Sequence, residues 1–274
     1  MLKQAEEFMN RFFTSTTVGM LALGTVFISG EVATAVSFGT SSDGASLQQL
    51  LDGITVNGPK FDTVNNQTGF DLFTNTASSG SLATFMFEIA GNASSNKFGI
   101  YNPSGSKAEL FGGINDISDG ATVNFLGNGD ITVSTIGFAP GNAGDPTITK
   151  YTGFGNIFGF YLETNNGTFY TQNSRNPNNF QQAVIYQGNN QTQLQIAGRQ
   201  PGVFTDNEFI IAFEDLLRSS PDSDSDFQDL VVLVESIKPT SAAIPEPGTV
   251  TGLLAFGLGS FAWMLKGKKR KLEN

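Results

Sequence analysis

Glu214, Asp215, Asp222, Asp224, Asp226 and Asp229 crowd six carboxylates into a short stretch between two apolar runs, Phe209–Phe213 and Leu230–Val234. Like charges at that density repel, so the stretch is comfortable only when splayed into water or gathered around a cation. Ca²⁺ suits it chemically, since it takes about six to eight hard oxygens at about 2.3–2.6 Å. The alternation Asp222, Asp224, Asp226 lets three side chains converge if the segment curls as a loop. Glu214, Asp215 and Asp229 can then close the shell from the two strand ends. The spacing is not that of an EF-hand, because Phe227 stands at the sixth loop position and Leu233 at the twelfth. A solvated acidic turn is the plainer alternative. A carboxylate pair for glycoside hydrolysis is another, and it requires a sugar-binding cleft and a defined separation.

Composition removes many other chemistries. The chain of 274 residues has no Cys and no His. Disulfide scaffolds, thiol nucleophiles, Ser-His-Asp triads and His- or Cys-ligated zinc are therefore excluded. Between Val36 and Pro245 there are 20 Asp and Glu against 8 Lys and Arg. Such a surface repels nucleic acid, and it meets anionic polysaccharide only through bridging divalent cations. The 25 Phe supply enough aromatic area for a core without disulfides.

The elements that must position the acidic stretch are short strands. One helix is expected over Ser46–Ile54, with Ser46 as cap, Leu47, Leu50 and Leu51 as its apolar stripe and Gly53 as its stop. Strands are expected at Leu82–Ile89, Lys97–Tyr101, Leu110–Phe111, Ala121–Phe125, Ile131–Phe138 and Phe158–Leu162. Five more follow at Gly167–Gln172, Ala183–Tyr186, Leu194–Ile196, Phe209–Phe213 and Leu230–Ile237. This pattern predicts an all-β chain, an antiparallel β-sandwich or jelly-roll-like domain. Phe-Gly-x-Tyr occurs twice, at Phe98–Tyr101 and Phe158–Tyr161. Either the two strands occupy equivalent places, or sandwiches simply reuse aromatic-glycine strands, which is the simpler reading. No fixed period of a repeat protein is visible.

The two ends read as processing segments. Val18–Ile28 is an apolar run and Ala33-Thr34-Ala35 a small-x-small cleavage site, so residues 1–35 are expected to be a signal peptide and Val36 the mature start. Domain organisation follows as 36–237 for the extracellular domain, 238–247 for a stalk, 248–265 for a transmembrane segment and 266–274 for a basic cytoplasmic tail. The uncharged stretch Thr249–Leu265 is 17 residues. As a helix it would reach about 25 Å, close to a hydrocarbon core of about 30 Å. Lys266, Lys268, Lys269, Arg270 and Lys271 behind it keep that end in the cytoplasm.

Pro245, Glu246 and Pro247, the Gly-rich apolar span and the basic cluster resemble, in that order, the PEP-CTERM sorting signal of Gram-negative, matrix-forming bacteria. The resemblance implies signal peptidase and an exosortase as maturation partners, transient inner-membrane anchoring, and a surface or extracellular-matrix destination. Phe-Glu-Asp at 213–215, the Asp-x-Asp-x-Asp-Phe-x-Asp run at 222–229 and the apolar strand after it resemble an uncharacterised bacterial extracellular domain. That domain also occurs in large calcium-rich surface proteins. Ser46–Asp52, Glu88–Gly91 and Phe158–Tyr161 fit the same family. The sequence therefore predicts an exported, non-enzymatic surface or matrix protein with an adhesive or structural role, calcium as cofactor and extracellular polysaccharide as partner. The alternative is a carboxylate-based hydrolase of matrix polysaccharide.

Overall fold

A computed structural model describes residues 36, 38–39, 46–77, 81–87, 93–112, 120–136 and 147–240. The signal-peptide, sorting-motif, transmembrane and basic-cluster assignments lie outside the described residues.

The single α-helix among the described residues, α1 (Leu47–Ile54), starts where its sequence dictates. The Ser46 hydroxyl accepts from the Gln49 amide at 3.3 Å, and the Gln49 side chain accepts from the Ser46 amide at 2.9 Å. This reciprocal pair satisfies two amides that the helix start leaves open. Leu47 and Leu51 are buried and Leu50 half-buried, while Gly53 lies inside the last turn and Thr55 caps the end. Gly53 is therefore not the stop.

In chain order the strands are β1 (Thr55–Asn57), β2 (Phe73–Asn75), β3 (Ser81–Phe87), β4 (Lys97–Tyr101), β5 (Lys107–Gly112), β6 (Gly120–Phe125), β7 (Ile131–Ile136) and β8 (Thr147–Tyr151). Then follow β9 (Ile157–Thr164), β10 (Gly167–Tyr170), β11 (Ala183–Gln187), β12 (Gln193–Leu194), β13 (Gly202–Val203), β14 (Glu208–Phe213), β15 (Leu230–Glu235) and β16 (Ile237–Pro239). One sheet has the order β11-β14-β15-β3-β6-β7-β8. A second runs β16-β2-β9-β4-β5, with β10 also beside β9, and a small third is β1-β12-β13. Every described pairing is antiparallel.

The two large sheets sandwich the main core. Phe98, Phe158, Phe160 and Phe73 from the second sheet meet Phe209, Ile211, Phe213, Val232 and Ile185 from the first. The opposite face of β11, β14 and β15 is buried too. There Tyr186, Ile210, Ala212, Val231 and Leu233 lie under Leu47, Leu51, Phe61 and Phe204. Burial on both faces is why β14 and β15 read as unbroken apolar runs rather than alternating ones.

The run Leu230–Ile237 is two strands, not one. Ser236 adopts φ 63°, and this left-handed residue carries the chain from β15 in one sheet to β16 in the other. Lys238 and Pro239, assigned to the stalk from sequence, pair with Thr74 and Phe73 of β2. β1, β2, β8, β13 and β16 had no separate signal. Four of them are two or three residues long, and β8 has its first four residues exposed.

The two Phe-Gly-x-Tyr strands are partners. Gly99 stands opposite Tyr161 and Tyr101 opposite Gly159, so each tyrosine lies over the glycine of the other strand. A Cβ on Gly159 would come within 2.5 Å of the Tyr101 ring, and one on Gly99 within 2.6 Å of the Tyr161 ring. Lys107 covers Tyr161 at 4.9 Å and bonds Glu163 at 2.9 Å, while Arg175 covers Tyr101 at 4.9 Å. The motif is a packing device, paired about a local two-fold.

Candidate metal centre

The acidic stretch occupies the connection from β14 to β15, and pairing of Phe213 with Leu230 sets its two ends side by side. Glu214 and Asp229 are consequently neighbours at the mouth of the strand pair, both buried, together with Asp215 and Asp226. Local backbone bends bring the loop back over them. Ser225 and Phe227 take φ 56° and 57°, a left-handed region that costs non-glycine residues about 1–3 kcal/mol each and recurs at ligand clamps. The Phe227 ring anchors the bend, fully buried, with Phe38 at its edge 5.3 Å away and the Arg218 guanidinium 5.1 Å above it. The Gly39 amide donates to the Ser225 carbonyl at 3.0 Å, so Phe38 and Gly39, close behind the expected cleavage point, lie against this loop.

Glu214, Asp224 and Asp226 bring one carboxylate oxygen each to within 4.8 Å of one another. Two oxygens bound to one Ca²⁺ at about 2.4 Å can be no more than about 4.8 Å apart, so the spacing meets the upper limit that a shared cation requires. The Ser223 hydroxyl donates to Glu214 Oε1 at 2.8 Å and lies 3.3 Å from the Ser225 hydroxyl. These add hard oxygens to the same corner.

The six residues singled out from sequence do not all meet at one point. Asp222 is exposed on the preceding turn, its amide donating to the Ser220 hydroxyl at 3.3 Å. Asp229 accepts from the Asp215 amide at 2.8 Å, and the Asp215 carboxylate accepts from Asn96 at 3.4 Å. Asp215 and Asp229 thus form a buried layer beside the converging three. Ser223 and Asn96 were not legible as site residues, because nothing in their types distinguishes them from ordinary loop residues, while Phe227 stood out only as part of the acidic run.

Burial raises two of these carboxyls, Glu214 and Asp229. Glu214 is pushed up to about 7, first by burial and then by Asp224 and Asp226, against hydrogen bonds from Ser223 and Phe227 that favour the charged form. Asp229 is pushed up to about 9, first by burial and then by the charges of Asp215 and Glu214. Among the described residues no Lys or Arg forms an ion pair with either. A divalent cation would reverse this, since its own charge dominates the local field and holds its ligands ionised.

Residues 243–271 match the PEP-CTERM protein-sorting motif, and residues 138–236 match a domain of unknown function (DUF4114). The domain match includes the acidic loop and Phe158–Tyr161, while Ser46–Asp52 and Glu88–Gly91 precede it. The chain is thus a PEP-CTERM protein with an uncharacterised extracellular domain. The sorting motif marks it as exported, processed by an exosortase and destined for the surface or the extracellular space. No curated protein matches it. Among solved structures it is similar to the lectin CV2L of Chromobacterium violaceum in complex with alpha-methyl-fucoside, at 13% identity over 63% of this chain and 98% of that one. The TM-score is 0.24, too loose an overlay to bear on fold or ligand. Among the described residues no helix is long and apolar enough to cross a membrane.

Proposed function

We propose that this domain is a non-catalytic adhesive or structural module of the bacterial surface or matrix, ordered by calcium at the β14–β15 loop. The convergence of Glu214, Asp224 and Asp226 within 4.8 Å carries the reading. Its buried, left-handed frame costs free energy in the absence of a ligand. Extracellular calcium supplies the missing charge, and an acidic surface then meets anionic polysaccharide through further divalent cations. The tail anchors the protein transiently in the inner membrane before the exosortase removes the span.

Thermal melting of the exported protein with and without calcium tests this. A ligand bound only by the folded state stabilises by about 2.7 kcal/mol at ~100 Kd, a Tm rise of about 5–10 °C at this size. Asp224→Asn with Asp226→Asn should abolish the rise while leaving the β-rich circular dichroism spectrum in place. Magnesium should substitute poorly, because it demands tighter octahedral geometry and keeps its water. A Tm indifferent to calcium in the unaltered protein returns the loop to a solvated acidic turn.

A further inference from the structure

A second pair of carboxylates stands at the opposite end of β14 and β15. Glu208 and Glu235 are directly opposed across the ladder and point to the face shared by Ile210 and Leu233. Here the small sheet stands off from the large one and leaves a cavity of about 350 Å³. Its floor includes Leu194, Phe204 and Leu233, and Arg199 lines it together with Glu208 and Glu235.

Like charges directly opposed on a ladder destabilise it, and apolar residues fill the equivalent positions along the rest of both strands. The charges facing the cavity are two carboxylates and the Arg199 guanidinium, which leaves one negative charge unbalanced. Glu208 already accepts from the Thr205 amide at 2.6 Å, a bond that favours its ionised form. Burial pushes both carboxyls above the ordinary range, and for Glu235 the Glu208 charge adds to this while Arg199 opposes it.

We propose that this cavity binds a protonated amino-sugar residue, its ammonium group between Glu208 and Glu235 and its ring face on the Leu194–Phe204–Leu233 floor. One positive charge on the ligand closes the charge balance. A single ring fits the volume, which lies at the small end of ligand pockets. A neutral sugar would leave the carboxylate pair uncompensated. The choice of a sugar body rests on the matrix-facing reading above, whereas the ammonium site is independent of calcium and lies at the far end of the strands.

The test is calorimetric titration of the exported protein, with calcium chelated, against a β-1,4-linked glucosamine disaccharide, its fully N-acetylated counterpart and Nα-acetyl-lysine amide. The free-amine disaccharide should bind, and both others should bind at least about tenfold more weakly. Glu235→Gln and Glu208→Gln should each lose binding about tenfold or more. Both variants should melt no lower than the unaltered protein, because each removes the like-charge contact. Equal binding of the acetylated sugar, preference for the lysine amide, cleavage of the disaccharide, or no binding of any probe overturns the proposal. Because calcium is absent throughout, the outcome is separate from that of the cation test.

Discussion

Glu214 and Asp229 connect single residues to bulk stability. Both are acids raised by burial, so the folded state holds protons that the unfolded chain releases at ordinary carboxyl values. Their contribution is fully present below about pH 4 and is lost as pH rises towards 7 for Glu214 and 9 for Asp229. Glu214 alone accounts for on the order of 3 kcal/mol across that window. Melting temperatures in chelator should therefore fall from mildly acidic to alkaline pH, and calcium should flatten the fall by favouring the ionised ligands. Asp229→Asn keeps an oxygen for the Asp215 amide and should remove most of the slope above neutrality. A flat profile in chelator would show that these carboxyls ionise freely in the fold.

At the scale of elements, the β4–β9 pair depends on two absent side chains. Gly99→Ala would press a methyl group into the Tyr161 ring and the Ala108 carbonyl. Overpacking of this kind costs about 1–3 kcal/mol, and denaturant melts should show it as a lowered midpoint with an unchanged slope. Interior and edge strands of the seven-stranded sheet differ more sharply. Ile211 is fully buried in β14, so Ile211→Ala should cost about 2–5 kcal/mol. Ile148 on the edge strand β8 is 67% exposed, and Ile148→Ala should stay within about 0.5 kcal/mol. Equal losses at the two positions would mean that β8 is covered in solution.

For the whole molecule, the sorting motif at 243–271 implies processing by an exosortase behind the β domain. Mass spectrometry of the extracellular protein should recover peptides through β16 and none from Phe256–Asn274. The new C-terminus is expected near Pro245–Pro247. Full-length tails on surface-exposed protein would instead make the apolar span a permanent anchor. β16 matters to this step, because its pairing with β2 carries the described sheet to Pro239, and the Thr240 amide donates to the Leu72 carbonyl at 3.0 Å. The cut site therefore stands only a few residues beyond the sheet.

The processing tail, the all-β class, the capped helix and most of the long strands are legible in the amino-acid sequence alone. Each is written in consecutive residues: a charge-free span beside cations, a Ser46–Gln49 box, apolar runs between turn residues. It also marked the β14–β15 loop as the densest acidic site. Which carboxylates meet there emerges from the folded chain, which brings Glu214, Asp224 and Asp226 together and leaves Asp222 in solvent. Only it paired the two Phe-Gly-x-Tyr strands, broke the last apolar run at Ser236 and set Glu208 against Glu235. These depend on register and on left-handed residues at Ser225, Phe227 and Ser236, whose types give no warning of their conformation. Composition and spacing report what a segment can bury. Which side chains then face one another is settled by strand pairing over long sequence separation, and no local pattern encodes it.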